Sequence, residues 1–565
     1  MMIRNYLMVA ATLVLTLANA GAAASTLTGR DGLTSYRLEP VIDPVPESGY
    51  AAFTVKVSGV GADEPIEVMG QSSDYQYFRH RNEVEVNGSQ KLQNASSPQL
   101  VVLPVRFNDH SDPYNRYQVG VKHRGEMLWD YGTARSSSGS IKPQAFSDKL
   151  VLDASKDLDQ WHSFDPARLP ADWRIFTGFE QVTLDSSEWQ SLSAAVRYAL
   201  LDYARSGGEL EIVAAQDTSA SLLGLGMIRG DQRSAGYGLG RVALVNEASF
   251  TGRSSGGVSA IEQGLPEVAS RIQPSEPAGP LTVIGVVVLG ALIGPFNLFA
   301  FTRNRRHRLF FTVPVIALGA SLVFAAAIFV ADGIGGSGHR VAVVSLDPDS
   351  ARASVVQQQS SLCGALFGSS FSTEEPTMLF DHATMTESQG SGVKIFGGRS
   401  SGSTKLNEAS GREFSGDWFR SREKQVQTVV SAVPSRNRLA LVDGAGLAPQ
   451  VAPASRTVVN TTGSTLNWVG FVDELGVPYM ATASVEPGAK VTLQRCQLDA
   501  MRGEVRGLLR DHMTGAMTTG VLRNLVSGGR LLAFSQNAPE LCIETLGSID
   551  WETSPVVLLQ PAIAE

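Results

Sequence analysis

The chain has 565 residues, 43% of them hydrophobic, and a formal net charge of -8, room for about three or four domains of ordinary size. That mild acidity, with no basic stripe outside one short arginine cluster, excludes nucleic acid as an expected partner. The three cysteines, Cys363, Cys496 and Cys542, come late and lack Cys-x-x-Cys spacing, and no His-x-x-x-His occurs, so no metal site and no cofactor are expected. One disulfide among the three would leave one thiol over.

Residues 1–24 read as a secretory signal peptide. Arg4 supplies the positive end, Leu7 to Leu17 the apolar run, and Ala18-Asn19-Ala20 or Ala22-Ala23-Ala24 a small-residue cleavage site. Residues 25–140 show short alternating segments such as Ala51 to Val57, Gln99 to Val105 and Tyr117 to Val121, punctuated by turn residues, which predicts a small antiparallel β-sandwich. His80, His110 and His123 fall here, as solvent-facing strand residues.

The period changes over residues 141–250. Lys149 to Leu152 reads as a buried strand, Trp173 to Phe176 and Gln181 to Leu184 as further strands, and Ser186 to Arg205 as a helix. Asp185 with Glu188 has capping-box spacing, and Leu192, Val196, Ala199, Leu200 and Tyr203 make the apolar stripe. Gly207-Gly208 ends the helix and the strand Glu209 to Ala214 follows. Strand, helix and strand with short links predict a βαβ unit and an α/β domain.

Residues 251–280 are rich in Ser, Gly, Glu and Pro and read as a linker. Two uncharged apolar runs follow, 281–301 and 309–330, of 21 and 22 residues. At ~1.5 Å per residue each would cross a hydrocarbon core of roughly 30 Å. Gly294 and Pro295 would kink the first. Arg303, Arg305, Arg306 and Arg308 in the 302–308 loop set the topology, because positive charge marks the cytoplasmic side. With an exported amino terminus, both large flanks would lie on the outer side of an inner membrane, with lipid as one partner.

The tail, 331–565, is β-rich, with strands at Arg340 to Leu346, Thr457 to Asn460, Asn467 to Val472, Tyr479 to Ala483 and Arg530 to Ser535, and a hairpin turn at Asp473 to Gly476. An immunoglobulin-like sandwich with one or two helices satisfies that spacing. Glu374 to Ser410 reads as a polar surface loop. Trp418, Phe419, Arg420 and Arg422 form the one dense aromatic and cationic cluster, hence the candidate partner-binding site, set against a packed core tryptophan with paired arginines at its rim.

The run "LSAAVRYALLDYARSGGELEIVA", followed by "GYGLGRVALVN", resembles the class I glutamine amidotransferase-like domain of exported bacterial membrane proteins. "GALIGPFNLFAF", the arginine-rich tip and "DGIGGSGHRVAVVSLD" resemble a family in which such a periplasmic domain precedes a two-span transmembrane hairpin and a β-rich tail. The resemblance implies a multidomain α+β membrane protein. An active amidotransferase needs a cysteine nucleophile. This domain has none, so no catalytic residue is assigned. The expected function is that of a non-enzymatic, inner-membrane-anchored envelope protein working through protein contacts with envelope or inner-membrane partners. The alternative is an envelope hydrolase, amidase or ligand-binding protein using the α/β domain, with Ser219 or Ser221 as hydroxyl nucleophile and His162 nearby.

Overall fold

The computed structural model describes residues 25–28, 35–42, 48–59, 65–75, 83–92, 98–106, 116–123, 126–132, 149–152, 169–179, 181–216, 218–228, 232–246, 287, 290–291, 311, 313–319, 321–322, 333–347, 349–381, 404–421, 423–442, 453–510, 512–513, 515–526 and 528–562. Its strands form four sheets.

The strand Ser48–Ser58 shows how the first sheet is used. Alternation sends Ala51, Phe53, Val55 and Val57 to one face and Tyr50 and Ala52 to the other, and both faces are buried in different apolar cores. Its sheet is antiparallel and four-stranded, with Ser25–Thr28, Ser35–Pro40 and Gln99–Arg106. The first face packs on Ile66, Val68, Val119 and Val121 of a seven-stranded sheet, so the two sheets share one apolar core. That second sheet runs Phe371–Ser372, Glu413–Gly416, Thr404–Ala409, Glu83–Lys91, Ile66–Tyr75, Arg116–His123, Glu126–Gly132. Three of its strands therefore come from beyond residue 370. Thr404–Ala409 runs parallel to Glu83–Lys91, with Thr404 opposite Val84 and Ala409 opposite Ser89.

Lys149–Leu152, Gln181–Asp185, Glu209–Val213 and Gly240–Val245 pair in parallel, and Ser234–Tyr237 adds an antiparallel edge. The capping box forms as expected: the Asp185 carboxylate accepts from Ser187 N, and Glu188 Oε2 accepts from Asp185 N at 2.8 Å. The helix it opens is shorter than its stripe suggested. α1, Ser186–Ser191, stops where Leu192 turns extended, and Ser193 caps α2, Ala194–Arg205, by accepting from Val196 N. Tyr203 donates from its hydroxyl to Phe179 O at 2.8 Å. Its ring lies where a Cβ at position 208 would stand, so only glycine fits there. Trp173–Phe176 is a 3-10 turn instead of a strand, because Asp172 accepts from Arg174 N and caps it.

The fourth sheet has twelve strands. In order these are Thr377–Asp381, Lys424–Pro434, Arg352–Cys363, Gly336–Asp347, Val556–Pro561, Arg530–Ser535, Trp468–Val472, Pro478–Ala481, Lys490–Arg495, Ser455–Asn460 and Leu439–Leu441, with Ile549–Thr553 also beside Gly336–Asp347. α3, Leu498–Arg510, and α4, Gly515–Val526, pack on it through residues such as Met501, Val505 and Val521.

The structure corrects the expected fold class. The described residues are mostly β, and the parallel strands with α1 and α2 do not make a self-contained amidotransferase-like α/β domain. Their apolar faces (Val182, Leu210, Leu200) belong to one core with Tyr50 and Val102 of the first sheet and with Val343, Val430 and Leu532 of the twelve-stranded sheet. The tail is likewise no immunoglobulin-like sandwich, since most of its strands hydrogen-bond in the mixed twelve-stranded sheet and three join the seven-stranded one.

The expected transmembrane hairpin and inner-membrane location are not supported either. No helix among the described residues is long and apolar enough to cross a membrane. The longest, α3, has 13 residues, a length of ~20 Å against the roughly 30 Å required. Most of 281–330 lies outside the described residues, including Gly294, Pro295, Arg303, Arg305, Arg306 and Arg308. The part described carries exposed Phe311, Val315, Leu318 and Leu322.

Candidate functional site: two buried ionic junctions

Among the described residues, two buried ionic junctions join segments before residue 246 to segments after residue 333. At the first, Arg174 projects from the 3-10 turn between Trp173 and Ile175. Its guanidinium donates from Nη2 to Asp172 Oδ2 at 2.7 Å and from Nη1 to Glu408 Oε1 at 3.4 Å. It also stands 4.9 Å from the centre of the Tyr50 ring. The Tyr50 hydroxyl donates to the other Glu408 oxygen at 2.7 Å.

Glu408 is buried because it shares the inward face of Thr404–Ala409 with Leu406. Burial pushes its carboxyl up to about 7, against the opposing pull of Arg174 and the Tyr50 hydrogen bond. Burial and the neighbouring Glu408 charge raise Tyr50 as well. Gly411, at φ 67°, lets the chain pass over this guanidinium, which a Cβ would overlap.

The second junction centres on Arg205 at the end of α2, which is 1% exposed. It pairs with Asp202 Oδ1 at 3.3 Å and Asp347 Oδ2 at 3.1 Å, and lies 5.2 Å from the centre of the Tyr237 ring. Tyr237 donates to Asp347 Oδ2 at 3.1 Å, and Arg352 donates to Asp202 Oδ2 at 2.8 Å. Two carboxylates thus face two guanidiniums. Asp202 titrates above the usual range, because burial outweighs the attraction of Arg205 and Arg352.

Neither junction was singled out from sequence, though each carries a readable signal. Asp202 and Arg205 sit on the core-facing side of a helix with Ala199 and Tyr203, and Glu408 follows Leu406 at strand spacing. A charge in phase with apolar positions marks a buried ion pair.

The residues proposed from sequence fall elsewhere. Trp418 and Phe419 are each 2% exposed. Trp418 Nε1 donates to Asn407 O at 2.9 Å, and its ring meets Phe414 edge-on. Both aromatics are core, so neither offers a face to a partner. Arg420 pairs with Glu423 at 2.7 Å and Asp381 at 3.7 Å, while Arg422 lies outside the described residues.

Ser219 caps the 3-10 turn Ala220–Leu223 by accepting from Leu222 N, and lies 2.9 Å from the Ser221 hydroxyl. His162, His80 and His110 are outside the described residues. His123 meets Tyr36 between the two sheets of the sandwich, Nδ1 to hydroxyl at 2.6 Å. The three cysteines are unpaired, and burial raises Cys363 to about 11 and Cys542 to about 12, so both are thiols at neutral pH. Among the described residues no group of three or more His, Cys, Asp or Glu could hold a metal ion.

No family model and no curated protein matches the chain. Among solved structures, it is similar to the yeast delta-COP-I mu-homology domain complexed with a Dsl1 WxWxV peptide, at 7% identity over 40% of this chain and 96% of that one, with a TM-score of 0.17. It is similar also to a glycosyl hydrolase family 2 member from Bacteroides cellulosilyticus DSM 14838, at 9% identity over 92% and 78%, with a TM-score of 0.14. Neither likeness carries an argument about fold or function at these scores.

Proposed function

We propose that the protein is a non-enzymatic binding protein that works through contacts of its surface with partner proteins. The observation that carries this reading is the rigid display of apolar side chains on capped turns. Leu222 is 75% exposed on the 3-10 turn that Ser219 caps at one end and left-handed Gly224 closes at the other. Leu475 is 61% exposed at the tip of a hairpin. There Asp473 Oδ1 accepts from Leu475 N at 2.9 Å and Val477 N at 2.8 Å. An apolar side chain fixed in advance loses little conformational freedom on docking, which favours it as a contact anchor. The buried charges support the same reading, because the junctions spend their carboxylates and guanidiniums on one another.

The test is a photoreactive amino acid placed singly at Leu222 and at Leu475, with irradiation of intact cells and mass spectrometry of the adducts. One discrete protein adduct at either position, absent when the residue stands at buried Leu200, is the expected result. Folded protein with no discrete adduct at either position contradicts the proposal.

A further inference from the structure

We infer that the segments before Asn246 and after Gly333 form one folding unit, the second completing the sheets and the core of the first. The inference is independent of the partner-binding reading, since it concerns how the chain closes on itself.

The parallel pairing of Glu83–Lys91 with Thr404–Ala409 is the first observation. Parallel strands cannot be joined by a tight hairpin and need both faces covered, so this contact is specified only in the finished fold. It is extended by Asn87 Nδ2 donating to Asn407 Oδ1 at 3.1 Å and Ser410 N donating to Ser89 O at 2.8 Å. Without these strands, Glu83–Lys91 would be a bare sheet edge, an open template for wrong pairing.

The second observation is the polar wiring. Both ionic junctions cross between the two flanks, through Tyr50 and Arg174 to Glu408, and through Asp202, Arg205 and Tyr237 to Arg352 and Asp347. At a third place Asn524 Nδ2 donates to Gly238 O and Arg530 Nη2 to Gly236 O, both at 2.6 Å and both buried. Each flank alone would keep half of every bond, and a buried polar group without its partner is costly. The third observation is the apolar core itself, which contains Ile175, Leu200 and Leu244 from one flank and Val343, Met501 and Leu532 from the other.

One measurement on the full-length chain tests the inference. Native-state hydrogen exchange in rising denaturant should show the amides of Glu83–Lys91 and of Thr404–Ala409 losing protection in one transition, with the same midpoint and slope. Loss of protection in one flank while the other stays native overturns the single-unit claim.

Discussion

Replacing Arg205 by methionine is expected to destabilise the protein by about 3–5 kcal/mol, the range found when one partner of a buried ion pair is removed. Methionine preserves much of the volume, so the loss reports charge and not a cavity. Asp202 retains Arg352, and Asp347 retains the Tyr237 and Ser350 hydroxyls. Asp347 would nevertheless be left with no guanidinium, and Asp202 with that of Arg352 alone. Denaturant unfolding of R205M and D347N, singly and together, separates the terms. The double variant should lose less than the sum of the single losses, because removing the second charge relieves the first. Strict additivity would mean that Arg205 acts by packing alone.

Acidification is expected to strengthen the first junction. Glu408 has a folded pKa of about 7, above its unfolded value of 4.5. Between those values the folded chain holds a proton that the unfolded chain releases, so stability is fully present below pH ~4.5 and is lost as pH rises through ~7. The groups facing Glu408 are Arg174, Asp172 and Tyr50. With Glu408 ionised, one guanidinium faces two carboxylates, and with Glu408 protonated the charges balance. A shift of this size corresponds to about 3 kcal/mol. In unfolding experiments, E408Q should therefore gain about 3 kcal/mol relative to the unsubstituted protein on going from pH 4 to pH 8. A stability difference that does not change with pH would show that Glu408 is not the titrating group.

Local signals carried part of this fold. Trp468–Val472 announces itself by β-branched and aromatic content, Arg530–Ser535 by the apolar run Leu531 to Phe534, and the Asp185 capping box by three-residue spacing. The central strand Arg352–Cys363 was invisible for a physical reason. Its run Gln357-Gln358-Gln359-Ser360-Ser361 is polar at every position and yet buried on both faces. Side-chain amides satisfy part of it, with Gln357 Nε2 donating to Gln359 Oε1 at 2.9 Å and Gln359 Nε2 to Gln427 Oε1 at 2.7 Å. Hydropathy reports neither.

Long-range pairing was equally out of reach. Nothing local in Thr404–Ala409 names Glu83–Lys91 as its neighbour, so a stretch read as surface loop proved to be a strand inside a sheet. The Trp418 cluster is the converse case, since aromatic density marks cores and interfaces alike. Only the burial of its ring and the engagement of its indole N–H decide between them.

The claim on which this account turns is that the two flanks make one body, and a single cut tests it most directly. A site-specific protease sequence inserted after Gly256 in the full-length chain would sever the covalent link without touching either junction. After complete cleavage under native conditions, the account predicts that both fragments elute together at the size of the intact protein and part only in denaturant. Separation of the fragments in native buffer would contradict it.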